Sequence, residues 1–169
     1  MKVEFRYCPS CGAALRPRQV EGHQLPACPD CDFVAWRDPK VAVTLVASDR
    51  EGRVLAIRRG IPPGAGGWAL PGGYLDDTEE PASGAVRECR EETGCDVAVE
   101  SFLGVFHVVT DEGGLLVLAY CGRLVDGVAT PTPEAPELGW FEPRRLPDLV
   151  FSSHRWALDA WRAQVAGAG

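Results

Sequence analysis

The chain has 169 residues, of which 46% are hydrophobic, and a formal net charge of −7 at pH 7. This length suits one domain of ordinary size with a small appendage, and the hydrophobic content is sufficient for a packed core. The acidic charge argues against nucleic acid as a partner, and no apolar run approaches the ~18 residues of a membrane helix, so we expect a soluble, cytoplasmic protein.

Four cysteines near the N-terminus form two CxxC pairs separated by sixteen residues. This spacing predicts a zinc site with four thiolate ligands. Disulfides are the alternative, but residues 1–30 contain no apolar signal segment, so we expect a reducing compartment in which disulfides do not persist. A region this short also builds no adequate core without a metal. We therefore predict a zinc ribbon over residues 1–38 and a second domain over residues 39–169. The predicted ligands are Cys8, Cys11, Cys28 and Cys31.

The zinc ribbon raises one hypothesis for the function of the whole chain: a non-catalytic zinc-ribbon binding protein. Between the two cysteine pairs stand Arg16, Arg18 and His23 against Glu21, with no aromatic residue for base stacking. Such a surface is poorly suited to nucleic acid. The ribbon is therefore interpreted as a structural or dimer-forming appendage, and the sequence does not decide between these two roles.

The first elements of the second domain form a predicted hairpin followed by a helix. Residues 40–48 and 53–58 are apolar runs rich in β-branched side chains, joined by a short polar segment. The helix is predicted over about residues 79–93, with Thr78 as its N-cap and Gly94 at its C-cap.

The remaining elements complete a predicted α+β fold. Residues 102–109 and 115–124 predict a second hairpin around the turn at 110–114. A Pro-rich loop then leads to a short strand with the sequence ELGWFE, and the chain ends in a helix capped by Ser152 or Ser153.

Three glutamates of the first predicted helix, Glu88, Glu91 and Glu92, have spacings of i, i+3 and i+4. At ~100° per residue they share one arc, separate from the apolar stripe of the same helix. Like charges at these spacings repel, and the last turn of a helix favours positive charge. A hard divalent cation such as Mg²⁺, which takes oxygen ligands, reverses both effects. The alternative is a solvated acidic face. Just upstream, Gly72 and Gly73 allow the backbone to approach and present a carbonyl to the arc.

The segment from Gly73 to Cys95 reads GYLDDTEEPASGAVRECREETGC. It resembles the Nudix box, G-x5-E-x7-R-E-U-x-E-E-x-G-U, in which U is a bulky aliphatic residue. Glu79 occupies the first glutamate position, and residues 87–95 match the closing part of the motif. Both U positions are cysteine here, and buried cysteine behaves as a small hydrophobe.

The resemblance implies a Nudix fold, an α/β/α sandwich with a mixed sheet, and hydrolysis of a nucleoside diphosphate linked to another moiety. It implies Mg²⁺ or Mn²⁺ as the cofactor. By position in the motif, the metal ligands are three glutamates and one glycine carbonyl, Arg87 orients a glutamate, and Glu79 is structural or belongs to the outer shell of the metal. Glu88 is the first candidate for the general base and Glu134, in a Pro-rich loop, is the second. The implied metal ligands are Glu88, Glu91, Glu92 and Gly72.

A zinc ribbon followed by this motif, together with the strings LPGGYLDDTE, PEAPELGWF and LPDLVFSSHRWAL, is similar to bacterial and chloroplast Nudix enzymes that cleave FAD and ADP-ribose. NADH pyrophosphatases, with possible removal of NAD caps from RNA, are the second enzymatic interpretation. They carry a SQPWPFPxS-like array downstream of the box, and the stretch DVAVESFLGVFHVVT here lacks it. The resemblance also implies a homodimer.

Three residues outside the motif are candidate substrate contacts. Arg58, at the end of a predicted strand, is a candidate phosphate ligand, with a surface ion pair as the alternative. Trp68 and Phe106 are candidates for stacking on adenine or flavin, with packing in the core as the alternative.

Overall fold

The computed structural model describes residues 5–111 and 113–167. It divides into two compact units. The first comprises Met1–Pro39 with Val109–Gly114, and the second comprises Lys40–Val108 with Leu115–Gly169.

The first unit contains a small antiparallel hairpin formed by β1 (Arg16–Val20) and β2 (His23–Ala27). Its two turn residues, Glu21 and Gly22, have φ values of 47° and 84°. Positive φ at both central residues is the geometry of a tight two-residue hairpin turn whose twist matches that of the strands. The hairpin therefore follows from local turn chemistry.

The second unit is built on a seven-stranded mixed sheet. The order is β5-β4-β3-β8-β7, with β6 paired to β3 and β9 paired to β4. The central strand β3 runs parallel to β8 and antiparallel to β4 and β6. The strands are β3 (Lys40–Ser48), β4 (Val54–Arg58), β5 (Trp68–Ala69), β6 (Gly72–Tyr74), β7 (Asp96–Thr110), β8 (Gly113–Asp126) and β9 (Glu137–Phe141).

Two helices, α1 (Pro81–Thr93) and α2 (Ser152–Gly167), cover opposite faces of this sheet. On one face, Ala85 and Cys89 of α1 pack with Val43, Leu45 and Ala47 of β3. On the other face, Ala157, Leu158 and Trp161 of α2 pack with Val46. Successive side chains of a strand point to opposite faces, so the alternation along β3 separates the two cores. The predicted α/β/α sandwich with a mixed sheet is confirmed.

The predicted strands and helices of the second unit are present in the predicted order, β5 and β6 were not predicted, and the start of α1 was wrong. The N-cap of α1 is Glu80, not Thr78: the Glu80 carboxylate accepts a hydrogen bond of 2.8 Å from the N–H of Ser83. Pro81 follows at the first helical position, where its missing N–H costs nothing. The predicted C-cap, Gly94, has a left-handed φ of 72°.

The C-terminal helix begins at Ser152, and Ser153 is buried inside its first turn. Within the described residues, neither serine makes the predicted capping hydrogen bond. The predicted turn at 110–114 includes residue 112, which lies outside the described residues. Neither described helix is long and apolar enough to cross a membrane.

Candidate functional site

The three glutamates Glu88, Glu91 and Glu92 lie in the last two turns of α1 and differ strongly in exposure. Glu92 is buried, the Glu88 side chain is 16% exposed, and the Glu91 side chain is 60% exposed. The Glu92 carboxylate therefore lies inside the protein, the Glu91 carboxylate lies at the surface, and the Glu88 carboxylate is intermediate.

Arg87 connects two of these glutamates to a fourth carboxylate. Its Nε and Nη2 donate to both oxygens of Glu79, at 2.7 and 2.8 Å. Its Nη1 donates to Glu88 at 2.9 Å and to Glu91 at 3.1 Å. The planar guanidinium suits this fork geometry. Hydrogen bonding to Arg87 lowers the pKa of Glu79, so Glu79 remains ionised and anchors the arginine.

Glu92 is bound to the backbone of β6. The N–H of Gly72 donates to its Oε2 at 2.9 Å. Burial raises the pKa of Glu92 to about 7, and the charges of Glu88 and Glu134 also raise it. The hydrogen bond from Gly72 and the charge of Arg59 lower it, but by less. A buried carboxylate beside other carboxylates is destabilised, and a bound cation would remove that cost.

Glu88 lies directly against the backbone of Gly73. A Cβ built on Gly73 would meet the carboxyl atoms of Glu88 at 2.5 to 2.6 Å, closer than any real contact of this kind. Burial raises the pKa of Glu88, while its hydrogen bond to Arg87 lowers it. A side chain at position 73 would therefore displace the Glu88 carboxylate from this position.

The segment that enters β6, Leu70–Gly72, is held by residues from other elements. The carbonyl of Pro71 accepts from the N–H of Leu45 at 3.0 Å and from Oγ1 of Thr44 at 3.1 Å. The N–H of Leu70 donates to Nδ1 of His154 at 3.0 Å. His154 directly follows the two predicted capping serines, and no local pattern links it to a residue 84 positions away.

The three candidate substrate residues all have partners within the protein. Arg58 donates to Glu137 at 2.9 Å and to the carbonyl of Gly66 at 2.9 Å. Trp68 and Phe106 both pack against the core that α2 covers. These contacts correspond to the ion pair and the core packing that the sequence left as alternatives.

The neighbouring Arg59, which sequence reasoning missed, acts electrostatically on Glu92. Its Nε donates to the carbonyl of Pro63 at 2.7 Å, and its guanidinium lies 5.2 Å from the ring centroid of Phe151. Its charge lowers the pKa of Glu92. Glu134 is exposed, its carbonyl accepts from the N–H of Gly60 at 2.7 Å, and its charge also acts on Glu92.

The four N-terminal cysteines form a separate cluster in the first unit. Their sulfur atoms all lie within 4.8 Å of one another, with Cys8 3.5 Å from Cys31 and Cys11 3.4 Å from Cys28. These distances exceed the ~2.05 Å of a disulfide and are close to the ~3.8 Å that separates ligands of a tetrahedral zinc with 2.3 Å bonds. All four are free thiols.

Electrostatics in the cysteine cluster favour at least one thiolate. Burial raises the pKa of Cys8, but backbone hydrogen bonds from Ser10 and Cys11, together with hydrogen bonds from the Cys31 and Cys11 side chains, lower the value to about 6. Among the described residues, this cluster is the only group of three or more potential metal ligands gathered within 4.8 Å. On α1, Glu88 and Glu91 share Nη1 of Arg87, whereas Glu92 is bound to the N–H of Gly72.

Comparison with known proteins identifies the second unit. A model of the NUDIX domain matches residues 38–161, more than two thirds of the chain. The chain belongs to the Nudix family. It resembles a NUDIX hydrolase from Nitrosomonas europaea with a TM-score of 0.80 and 26% identity, over 94% of this chain and 89% of that structure.

Two curated Nudix relatives differ in how much of the chain they match. An ADP-ribose pyrophosphatase from Methanocaldococcus jannaschii is 30% identical over 126 residues, 73% of this chain and 74% of the relative. The NAD-capped RNA hydrolase NudC from Pseudomonas aeruginosa is 25% identical over 166 residues, 96% of this chain but 58% of the relative. The chain is thus a Nudix hydrolase that spans little more than half of that second protein.

Nudix enzymes generally use Mg²⁺ or Mn²⁺, and the donors of this site fit such an ion. The carboxylates of α1 and the carbonyl of Gly72 are all oxygen donors, which hard divalent cations prefer. Glu92 is buried with a raised pKa, and the Glu88 carboxylate occupies a space that only glycine at position 73 leaves open. Burial raises the pKa of both carboxylates, and a bound cation would offset the cost of keeping them ionised.

Proposed function

We propose that this Nudix hydrolase cleaves the pyrophosphate bond of a nucleoside diphosphate linked to another moiety, with ADP-ribose and FAD as the leading substrate types. The observation that carries the proposal is the buried Glu92, bound to the N–H of Gly72 beside Glu88. The similarity to an ADP-ribose pyrophosphatase supports the substrate type.

In this proposal Glu88, Glu91, Glu92 and the carbonyl of Gly72 hold Mg²⁺ or Mn²⁺. When bound, the ion neutralises charge on the pyrophosphate and lowers the pKa of water. Arg87 positions two of the glutamates, and Glu79 anchors Arg87. Glu88 is the first choice for the general base because burial raises its pKa towards the working range of a base. Glu134, exposed in its loop, is the second.

NADH or NAD-capped RNA is the second substrate candidate. The observation in its favour is the alignment with NudC, which extends over 96% of this chain and therefore includes the cysteine region. The absence of a SQPWPFPxS-like array after the Nudix box weighs against it. Arg58, Trp68 and Phe106 remain proposed substrate contacts, although each has a protein partner in this structure.

A panel of substrates tests the proposal. Purified protein is assayed with Mg²⁺ or Mn²⁺ against ADP-ribose, FAD, NADH and NAD-capped RNA, and kcat/KM is compared. We expect the highest value for ADP-ribose or FAD. A higher value for NADH or capped RNA would select the second candidate, and no release of mononucleotide from any of them would support the non-catalytic binding protein.

Replacing Gly73 with alanine is expected to lower kcat at least tenfold, because the new Cβ would displace the Glu88 carboxylate. The matched control is Gly167→Ala, where a Cβ meets nothing within 4 Å. Steady-state kinetics and circular dichroism are measured on both proteins. Wild-type kcat in the Gly73→Ala protein would show that the observed position of Glu88 is not needed for catalysis.

We also propose that the cysteine cluster holds one structural Zn²⁺ through Cys8, Cys11, Cys28 and Cys31. Elemental analysis of protein purified without chelator should give one zinc per chain, and Cys28→Ser should lose most of it. Cys121→Ser is the control, since Cys121 lies outside the cluster and contacts Ser101. An absence of zinc in the wild-type protein would contradict the assignment. Homodimerisation remains a proposal from the family resemblance, which sedimentation can test, and a cytoplasmic location remains a proposal from the sequence.

A further inference from the structure

The Leu70–Gly72 segment leads from β5 into the first residue of β6, the glycine that we place at the metal. This segment passes through the interior: Leu70 is 1% exposed and Pro71 is also fully buried. Buried backbone N–H and C=O groups need hydrogen-bond partners, and partners with fixed positions determine the orientation of each peptide plane. The course of the backbone into Gly72 is therefore set by the groups that receive and supply these hydrogen bonds.

Three different elements supply these partners. The N–H of Leu70 donates to Nδ1 of His154, at 3.0 Å. The carbonyl of Pro71 accepts from Leu45 and Thr44 of β3. The N–H of Gly72 donates to Glu92 of α1 at 2.9 Å. The C-terminal helix thus fixes the start of a segment whose other end is bound to a proposed metal ligand.

His154 is well placed to act as a fixed acceptor. It lies in the first turn of α2, is 8% exposed, and makes an edge contact with the ring of Phe151 at 5.0 Å between centroids. An accepting Nδ1 must be unprotonated, so the ring is the neutral tautomer with its proton on Nε2. Burial and the charges of Arg59 and Arg155 lower the pKa of His154 to about 3, so the ring stays neutral at ordinary pH.

The backbone before His154 is itself held against β5. The N–H of Val150 donates to the carbonyl of Trp68 at 2.9 Å, and Leu149 forms a parallel bridge with Trp68. A Cβ on Gly67 would meet Val150 at 2.0 Å, so the two segments are in close contact. The start of α2 and the segment before Leu70 therefore form one packed unit, which leaves the imidazole little freedom to move away from Leu70.

We propose that His154 is a positioning residue for the Nudix reaction. Its Nδ1 accepts a hydrogen bond from the N–H of Leu70, and this contact keeps the carbonyl of Gly72 correctly oriented next to Glu92. This inference rests on the function proposed above. It assigns a role in catalysis to a residue of the C-terminal helix, outside the Nudix box and remote from it in sequence. This role depends on the hydrogen-bond acceptor Nδ1 of His154, and not on the volume of the imidazole ring.

Two substitutions separate the acceptor from the ring. His154→Asn keeps an acceptor oxygen at the position of Nδ1 and loses the ring, whereas His154→Phe keeps a ring and loses the acceptor. We expect His154→Phe to lower kcat at least tenfold and to raise the Mg²⁺ concentration for half-maximal rate at least threefold, with substrate KM within about threefold of wild type. We expect His154→Asn to stay within about threefold of wild type in all three quantities.

A readout independent of activity is amide hydrogen exchange at Leu70 and Gly72, which should become faster in His154→Phe and remain near wild type in His154→Asn. The opposite pattern, with His154→Phe active and His154→Asn impaired, would show that ring packing matters and would overturn the proposal, as would equal kcat in the two variants. If His154→Phe does not fold, His154→Leu takes its place with the same expected and contrary results.

The test also separates this proposal from the proposed function. A wild-type protein that hydrolyses no substrate of the panel contradicts the function. A wild-type protein that is active, and unaffected by loss of the acceptor, contradicts the role of His154 alone.

Discussion

Replacing Glu92 with glutamine is expected to lower kcat at least 100-fold and, without added divalent cation, to make the protein more stable at pH 8. Glutamine has nearly the same shape, and its side-chain oxygen can still accept the N–H of Gly72 that Glu92 accepts at 2.9 Å. The substitution therefore removes a negative charge and little else. A 100-fold loss corresponds to about 2.7 kcal/mol of transition-state stabilisation, which is reasonable for one carboxylate ligand of a catalytic metal.

The expected gain in stability follows from the pKa of Glu92. Burial raises this pKa from 4.5 to about 7 in the folded protein. For a group whose pKa is raised on folding, the stabilising contribution is fully present below the unfolded pKa and is lost as the pH rises through the folded value. Wild type therefore loses up to about 3 kcal/mol between pH 4.5 and pH 8, and the glutamine variant does not.

Chemical denaturation of both proteins at pH 5 and pH 8, followed by circular dichroism, measures this difference. The variant should be more stable than wild type by a few kcal/mol at pH 8 and by less than about 1 kcal/mol at pH 5. His154 has the opposite pH dependence, because its lowered pKa favours the folded state above about pH 6.5. It is present in both proteins, so its contribution cancels in the difference.

Two control variants make the Glu92 result specific. Glu91→Gln removes an exposed carboxylate of the same helix, so we expect a comparable loss of kcat without the gain in stability. Glu142→Gln removes a surface carboxylate paired with Arg145, so neither quantity should change. Near-normal kcat in Glu92→Gln would reject Glu92 as a metal ligand, and equal stability at pH 8 would show that its carboxylate is not destabilised by burial.

The combination of lost activity and gained stability is typical of a functional site. Under the proposed function, the buried Glu92 carboxylate beside Glu88 serves catalysis at a cost to the stability of the fold. Sequence reasoning found this conflict from the spacing of Glu88, Glu91 and Glu92 alone. The structure shows that Glu92 is the glutamate most destabilised by burial. Its position is set by the fold, in which Glu92 points inward and Glu91 points outward.

The fold was predictable from the sequence wherever a structure is formed by contacts between residues that are close together in the chain. The hairpin of β3 and β4, the helix α1 and its glycine cap at Gly94 are local structures, and their signals lie within a few residues of one another. The start of α1 was misplaced because threonine is the stronger N-cap by preference. Pro81 nevertheless favours a start one residue after Glu80, whose carboxylate reaches the N–H of Ser83.

The rest of the site depends on contacts between elements that are distant in sequence. Arg58 and Arg59 are adjacent, and no local rule decides which one faces Glu92. In the structure Arg58 pairs across the sheet with Glu137, and Arg59 lies by Phe151. His154 reaches Leu70 from the far end of the chain. Such partners become visible only when the sheet brings β4, β5 and α2 together.

Replacing Arg87 with lysine is expected to lower kcat at least tenfold and the free energy of unfolding by about 1–3 kcal/mol. The guanidinium donates to Glu79 through two nitrogens and to Glu88 and Glu91 through a third. A lysine ammonium is a point charge that cannot bind Glu79 in a fork and reach the other two carboxylates at once. The glutamates therefore lose their fixed positions even though the charge is retained.

The matched control is Arg90→Lys, on the same helix, where an exposed arginine pairs with Asp96 at 3.3 Å. Exposed ion pairs contribute between about 0 and 1 kcal/mol, so neither kcat nor stability should change measurably. Glu79→Gln provides a second comparison, because it weakens the anchor of Arg87 without touching Glu88 or Glu91 directly. Its kcat should fall between those of wild type and Arg87→Lys. If Arg87→Lys instead loses stability while kcat stays at the wild-type value, Arg87 only supports the fold, and the positions of Glu88 and Glu91 do not depend on it.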